Sequence, residues 1–122
     1  MNFDPNIAAK MGALILELRQ VGVTDAKVLA TIERTPRDMF LPEPFKSRAF
    51  ENVALPIGHH QTVSQPGVVG LMTQELDVTE RHKVLEVGTG SGYQAIILAQ
   101  LCRRLYTIER HPELLQLAEM RF

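Results

Sequence analysis

The stretch "LEVGTGSGY", residues 85–93, decides the fold. It begins inside a short apolar run, KVLEV at 83–87, and breaks into three glycines at alternate positions, Gly88, Gly90 and Gly92. An apolar run that ends in glycine is a buried strand entering a tight turn. Glycine lets the backbone take positive φ and lets a ligand approach closely. From Tyr93 to Leu101 the apolar residues recur at helical spacing, so the turn feeds a helix. RLYTIE at 104–109 is rich in β-formers and predicts a second strand. Residues 111–122 predict a further helix with Leu114, Leu115, Ala118 and Phe122 inward. Strand, helix, strand, helix at this spacing implies an α/β protein with parallel strands joined by right-handed crossovers.

Upstream of this unit the texture changes near residue 66. Pro66 suits a first helical position, and Val68, Met72 and Leu76 predict one apolar helix face behind it. Residues 66–122 therefore form the first part of an α/β domain, and residues 1–65 a helical lobe in front of it. In that lobe Ile7, Met11, Leu14, Leu18 and Val21 follow helical spacing, with Gly22 as a stop. Thr24 or Asp25 caps a second helix carrying Val28, Leu29 and Ile32, and Pro36 lies past its end. FLPEPF at 40–45 and ALPIG at 54–58 are proline-punctuated and read as irregular. Two parallel strands leave faces and edges that need cover, and the chain stops within a helical pattern. The expectation is the front part of a longer, here truncated, α/β protein.

Composition narrows the classes. The 122 residues make one small domain, and 45% hydrophobic with 22% charged residues is an ordinary globular balance. A net charge of −1 lacks the basic face of a nucleic-acid binder. The apolar GALIL at 12–16 is short and closely followed by Glu17 and Arg19, which suits neither a signal peptide nor a membrane span. The single Cys102 fits a reducing compartment and a packed thiol. These features point to the cytoplasm.

The glycine turn has two possible ligand classes. Dinucleotide enzymes use G-x-G-x-x-G with pyrophosphate on the helix N-terminus. Here the third glycine of that pattern is replaced by Tyr93, which does not allow the same close helix packing. The spacing is G-x-G-x-G, preceded by the acidic Glu86, which is the pattern of S-adenosylmethionine-dependent methyltransferases. Glu109 stands at the end of the second strand and can accept from both hydroxyls of a ribose. The bland alternative is a solvated carboxylate paired with Arg110.

The polar HHQTVSQPG at 59–67 is either a surface loop or chemistry. Spacing alone favours Ser64 as N-cap of the helix that starts at Pro66. His59 and His60 point apart as neighbours, and no Cys, His or acidic cluster has ligand spacing, so no metal is expected.

The order ALPIGHHQTVSQPG (54–67), VLEVGTGSGYQAIILAQL (84–101) and LYTIER (105–110), with TPRDMF (35–40) ahead of it, resembles the protein-L-isoaspartate O-methyltransferase family. That family carries a proline-isoleucine-glycine turn, a Q-T-[IV]-S-Q-P segment, a G-T-G-S-G-Y loop and a T-I-E-R strand end in the same order. The glycine loop marks only the wider methyltransferase superfamily, and QTVSQP makes the family. The resemblance covers essentially the whole chain and implies the N-terminal half of a Rossmann-like, S-adenosylmethionine-dependent methyltransferase fold.

The activity it implies is methyl transfer from S-adenosyl-L-methionine to the free α-carboxyl of L-isoaspartyl residues in damaged proteins and peptides. The ester then collapses without enzyme to a succinimide, which starts repair. Such a carboxyl has a pKa near ~3.5 and is ionised at neutral pH, so no general base is required. By resemblance Ser64 is the active-site serine, with Gln61 and Thr62 in the same loop over the cofactor. Glu86, Gly88, Thr89, Gly90, Ser91, Gly92, Glu109 and Arg110 are the implied cofactor-binding set. Two positions depart from the family pattern: His60 replaces a usual glycine, and Gly67 stands where an aromatic residue or histidine is common. A non-catalytic cofactor-binding or interaction fragment, and a nicotinamide-dependent oxidoreductase, are the alternatives.

Overall fold

The computed structural model describes residues 5–122. Two helices come first, α1 (Pro5–Gln20) and α2 (Ala26–Arg34), followed by two 3₁₀ turns at Arg37–Phe40 and Glu43–Arg48. A hairpin of β1 (Leu55–Gly58) and β2 (Gln61–Val63) leads into α3 (Pro66–Leu76). The alternating unit then runs β3 (Lys83–Val87), α4 (Tyr93–Ala99), β4 (Arg104–Ile108) and α5 (Pro112–Arg121). β3 and β4 pair in parallel, with Leu85 opposite Tyr106 and Glu86 opposite Thr107. No helix among the described residues is long and apolar enough to cross a membrane.

Local chemistry explains the helix ends. The second helix is capped by Asp25, whose carboxylate accepts from the backbone N–H groups of Lys27 and Val28, which resolves the choice between Thr24 and Asp25. Gly22 ends the first helical segment at φ +110°, the left-handed conformation that glycine tolerates. Ile7 and Val21, expected on the inward face of α1, are exposed, and Leu14 and Leu18 carry its burial.

Three further expectations are corrected. ALPIG is not irregular: residues 55–58 form β1, one arm of the hairpin. The apolar face of α3 is not Val68, Met72 and Leu76, which are 41–65% exposed. Its buried face is Pro66, Gly67, Val69, Gly70 and Thr73. The reason is close approach: a Cβ on Gly70 would lie 2.9 Å from a Val23 methyl. Ser64 is not the N-cap of α3 either. Gln65 occupies that position without a side-chain cap bond, and the N–H of Gly67 is taken by the Asn52 side chain at 2.7 Å. A Cβ on Gly67 would press on that same carboxamide at 3.1 Å.

One hydrophobic core draws from both sides of the texture change. Leu14, Leu18, Val28, Ile32 and Phe40 pack with Val69, Tyr93, Ile97 and Leu114. Tyr93 is 2% exposed and meets the Phe40 ring edge-on at 5.4 Å between centroids. Burial pushes its phenol up to about 12, against the lowering field of Arg37. The sheet is one-sided. Val84, Glu86, Leu105 and Thr107 lie on its covered face, while Leu85, Val87, Tyr106 and Ile108 are 49–76% exposed on the other.

Arg37 is the unusual interior residue. It is 3% exposed, and its guanidinium donates to the carbonyls of Ala49 (3.3 Å), Glu51 (3.1 Å), Val53 (2.6 Å) and Ser64 (3.1 Å). Burial lowers its pKa from the usual arginine range.

The hairpin turn has a cost that sequence exposes. His59 and His60 sit at φ +53° and +57°, both in the left-handed region that two-residue hairpin turns require. Histidine visits that region more readily than most residues, but still with strain. His60→Gly therefore restores the family's usual residue without changing the turn. It is expected to raise stability by about 0.5–1 kcal/mol in urea denaturation, since strain relief exceeds the added chain entropy of glycine.

Candidate functional site

The carboxyl ends of β3 and β4 open onto a cleft, the place where parallel sheets bind ligands. A cavity of about 570 Å³ there is lined by Gln61 and Thr62 of the hairpin, by Val87, Gly88 and Gly90 of the glycine turn, and by Ile108, Glu109, Arg110 and His111. A smaller cavity of about 70 Å³ shares Thr62, Gly88 and Gly90 with it, and adds Ser64, Glu86, Thr89 and Ser91. Thr62, Gly88 and Gly90 thus stand between the two volumes. The hairpin roofs the turn: an added Cβ on Gly90 would touch an Ile57 methyl at 3.7 Å. At the tip, the His59 ring lies 5.6 Å from that of His111.

All three glycines of the turn have positive φ, +96° at Gly88, +54° at Gly90 and +92° at Gly92. They serve different needs. A Cβ at Gly88 would meet nothing, so its side is open. At Gly92 a Cβ would lie 2.9 Å from the Phe122 ring and 3.3 Å from Ala118, so this glycine lets α5 pack against the turn. Arg121 of α5 also donates to the Ser91 carbonyl at 2.8 Å.

Most N–H groups of the turn are already engaged. Those of Gly88 and Thr89 donate to the Ile108 carbonyl, Gly92 to the Thr89 carbonyl, and Tyr93 to the Ser91 hydroxyl. The Gly90 N–H donates to Glu109 Oε1 at 2.8 Å, and the His111 N–H to Oε2 at 3.0 Å. A pyrophosphate cradle needs such groups free.

Two carboxylates sit in this frame with opposite tendencies. Burial pushes the Glu86 carboxyl up, partly offset by the Thr107 hydroxyl that donates to it at 2.6 Å, and Glu109 pushes it further up. Burial raises Glu109 as well and is the largest single influence on it, but several lowering influences act together against it. Led by the N–H groups of Gly90 and His111, they hold the carboxyl below its ordinary range. Each carboxylate oxygen has two acceptor sites, so the bonds to Gly90 and His111 leave two for a ligand. Glu109 is therefore not a strand-end acid paired with Arg110. Among the described residues the side-chain ion pairs are Lys46–Glu43 and Arg48–Glu51.

The hydroxyls form a directed chain. Thr107 has one proton and gives it to Glu86, so the Thr89 hydroxyl, 2.6 Å away, is the donor to Thr107. Thr89 and Ser91 are 3% and 5% exposed, and their side chains bond within the protein. Gln61, Thr62, Ser64 and Arg110 are exposed at the cleft.

The sequence reading missed Thr107, His111, Asn52 and Arg37. Thr107 had a signal, being the one hydroxyl on the covered face of β4, at the position paired with Glu86. Asn52 and Arg37 act over 15 and 27 residues of sequence separation, and no local spacing marks them. Among the described residues no group of three or more His, Cys, Asp or Glu is placed to hold a metal ion.

Comparison with known proteins places this geometry. The family model described as protein-L-isoaspartate(D-aspartate) O-methyltransferase matches residues 9–122. The chain is 67% identical over 108 residues to the protein-L-isoaspartate O-methyltransferase of Rhodospirillum rubrum, covering 88% of this chain and 49% of that protein. It is 64% identical over 109 residues to the protein of the same name from Paramagnetospirillum magneticum, covering 89% and 51%. The chain spans about half the length of the curated relatives it matches. A protein-L-isoaspartate O-methyltransferase chain from Plasmodium falciparum, solved in complex with S-adenosyl-L-homocysteine, superposes with a TM-score of 0.76. At 21% identity, covering 88% of this chain and 52% of that one, it shows the fold: the α/β, Rossmann-like methyltransferase fold with a helical N-terminal part.

Glu86 yields a test with a definite sign. A folded-state carboxyl raised above its unfolded value makes the wild-type protein lose stability as pH rises through the interval between the two values. Glu86→Gln keeps the acceptor for Thr107 and removes that ionisation. Urea denaturation from pH 4 to pH 8 is expected to show the variant gaining on wild type as pH rises above about 4.5.

Proposed function

Because the chain belongs to the protein-L-isoaspartate(D-aspartate) O-methyltransferase family, we propose that the protein carrying it methylates the free α-carboxyl of L-isoaspartyl residues in damaged proteins and peptides. It does so in the cytoplasm and starts their repair. The observation that carries this reading is the shared cleft, where the QTVS segment, the glycine turn and Glu109 line two adjoining cavities. Bound S-adenosyl-L-methionine supplies the methyl group from its sulfonium. Residues up to 65 bring the helical lobe and the active-site loop, and residues 66–122 the first part of the cofactor-binding α/β domain.

The residues present fit that cofactor. Gly88 leaves the floor of the cleft open to close approach. The remaining acceptor sites of Glu109 suit a pair of ribose hydroxyls, and Gln61, Thr62 and Arg110 flank the same volume. Glu86 is the acid of the turn on the side of the smaller cavity. A nicotinamide dinucleotide would need the N–H groups that the turn already uses internally.

The acceptor is an anion at neutral pH, so the site has to orient it and exclude water rather than remove a proton. Ser64, exposed at the smaller cavity, can donate its hydroxyl to one carboxylate oxygen and hold the other in line. It is no nucleophile, because no base lies within the hydrogen bonds of this segment to activate it.

Ser64→Ala is expected to lower kcat toward an isoaspartyl peptide by roughly tenfold to a hundredfold. Affinity for S-adenosyl-L-homocysteine by calorimetry stays within about twofold, on the order of 0.4 kcal/mol. Equal turnover of variant and wild type removes the role. Glu109→Gln acts on the other side: the neutral amide is a weaker acceptor, and cofactor affinity is expected to fall by about tenfold.

A further inference from the structure

Arg37 lies in the first 3₁₀ turn, outside every segment so far given a role in the reaction. It is a buried cation, and among the described residues it has no carboxylate ion-pair partner. Glu51 contributes only a distant field, since its carboxylate is bound by Arg48 at 2.9 and 3.1 Å. The acceptors of Arg37 are backbone carbonyls, and they fall into two groups. Three belong to one short segment, at Ala49, Glu51 and Val53, and the fourth is that of Ser64.

The same short segment reaches the site a second way. Asn52, between two of those carbonyls, accepts from the N–H of Gly67 at 2.7 Å. Gly67 is in the first turn of α3, three residues beyond Ser64. Ser64 itself lies between the last residue of β2 and Gln65, outside both the hairpin pairing and the helix. Its backbone is thus held at the carbonyl by Arg37 and, just downstream, through the helix start by Asn52.

We propose that Arg37 and Asn52 are positioning residues for Ser64. This rests on the reading of Ser64 as the residue that orients the acceptor carboxylate. The Ser64 side chain is exposed at the smaller cavity, so surrounding packing does little to set its direction. Its aim then follows from its backbone. Arg37 joins the Ser64 carbonyl to the 49–53 segment, and Asn52 of that segment holds the start of the helix that follows. In-line transfer tolerates little displacement, and an error on the order of 1 Å is worth about a hundredfold in rate. Neither residue lines either cavity, so the loss is expected in turnover rather than in cofactor affinity.

The test uses the full-length protein that carries this chain, with variants Arg37→Lys, Asn52→Ala and Asn52→Asp. Lysine keeps the charge but cannot span four carbonyls, and aspartate keeps the acceptor oxygen that alanine removes. Arg37→Lys and Asn52→Ala are each expected to lower kcat toward an isoaspartyl peptide by about tenfold or more. Kd for S-adenosyl-L-homocysteine stays within about threefold, and Asn52→Asp recovers most of the lost turnover. Unchanged kcat in either variant overturns the proposal. So does a fall in cofactor affinity parallel to the fall in kcat, which marks a purely structural role. If Arg37→Lys does not fold, the Asn52 pair decides: loss in the alanine variant without recovery in the aspartate variant overturns it. A wild-type protein that binds the cofactor but does not methylate isoaspartyl peptides overturns the functional reading first, and the positioning role with it.

Discussion

One buried guanidinium ties the loop at Ser64 to the rest of the chain. A charge in the interior is normally met by an opposite charge, because desolvation is otherwise too costly. Arg37 is met instead by four carbonyl dipoles from two separated segments. These segments have little regular structure, so their carbonyls lack ladder partners, and the two terminal nitrogens of the arginine supply donors to all four while its buried Nε is left without a partner. The turn that carries it extends the connection. Phe40, three residues on, meets Tyr93 at the head of α4 and lies beneath the Arg121 guanidinium at 5.8 Å. Arg121 in turn holds the Ser91 carbonyl. From residues 37 to 40 the contacts run to the loop at Ser64 on one side and to the glycine turn on the other.

The two acids of the site show how environment divides identical chemistry. Glu86 faces the covered side of the sheet and gains one hydroxyl donor, too little to offset burial. Glu109 stands at a strand end with two backbone N–H groups on it, and remains ionised more readily than in water. The first is joined to Thr107 and Thr89 in a chain of hydroxyls, which binds β3, β4 and the turn together from within. The second ties the end of β4 to the middle of the turn.

Much of this was legible before any coordinates. The strand, glycine turn and helix at 83–99 were plain, because apolar run, positive-φ residue and helical period follow one another within a few residues. The acid at 109 was legible for the same local reason. The hairpin was not. Pro56 and the two histidines disguise a β-turn, because the turn needs positive φ and histidine is not its usual residue. The packed face of α3 was misread because size was taken as the sign of burial, whereas Gly67 and Gly70 bury by closeness. Arg37 and Asn52 act through partners that only the folded chain brings near. QTVSQP made the family recognisable, but the grip on its serine comes from outside that motif.

The internal bonds of the glycine turn bear on how a ligand meets it. Five N–H donors between residues 88 and 93, those of Gly88, Thr89, Gly90, Gly92 and Tyr93, are bonded within the protein. A loop in that condition has surrendered its conformational entropy during folding, and association has no ordering of the backbone left to impose. The floor of the cleft is closed by backbone bonds, while across its roof the contacts come from side chains, His59 with His111 and Ile57 above Gly90. A ligand in such a cleft would meet fixed backbone below and side chains above, so differences between ligands would register mainly in how fast they leave.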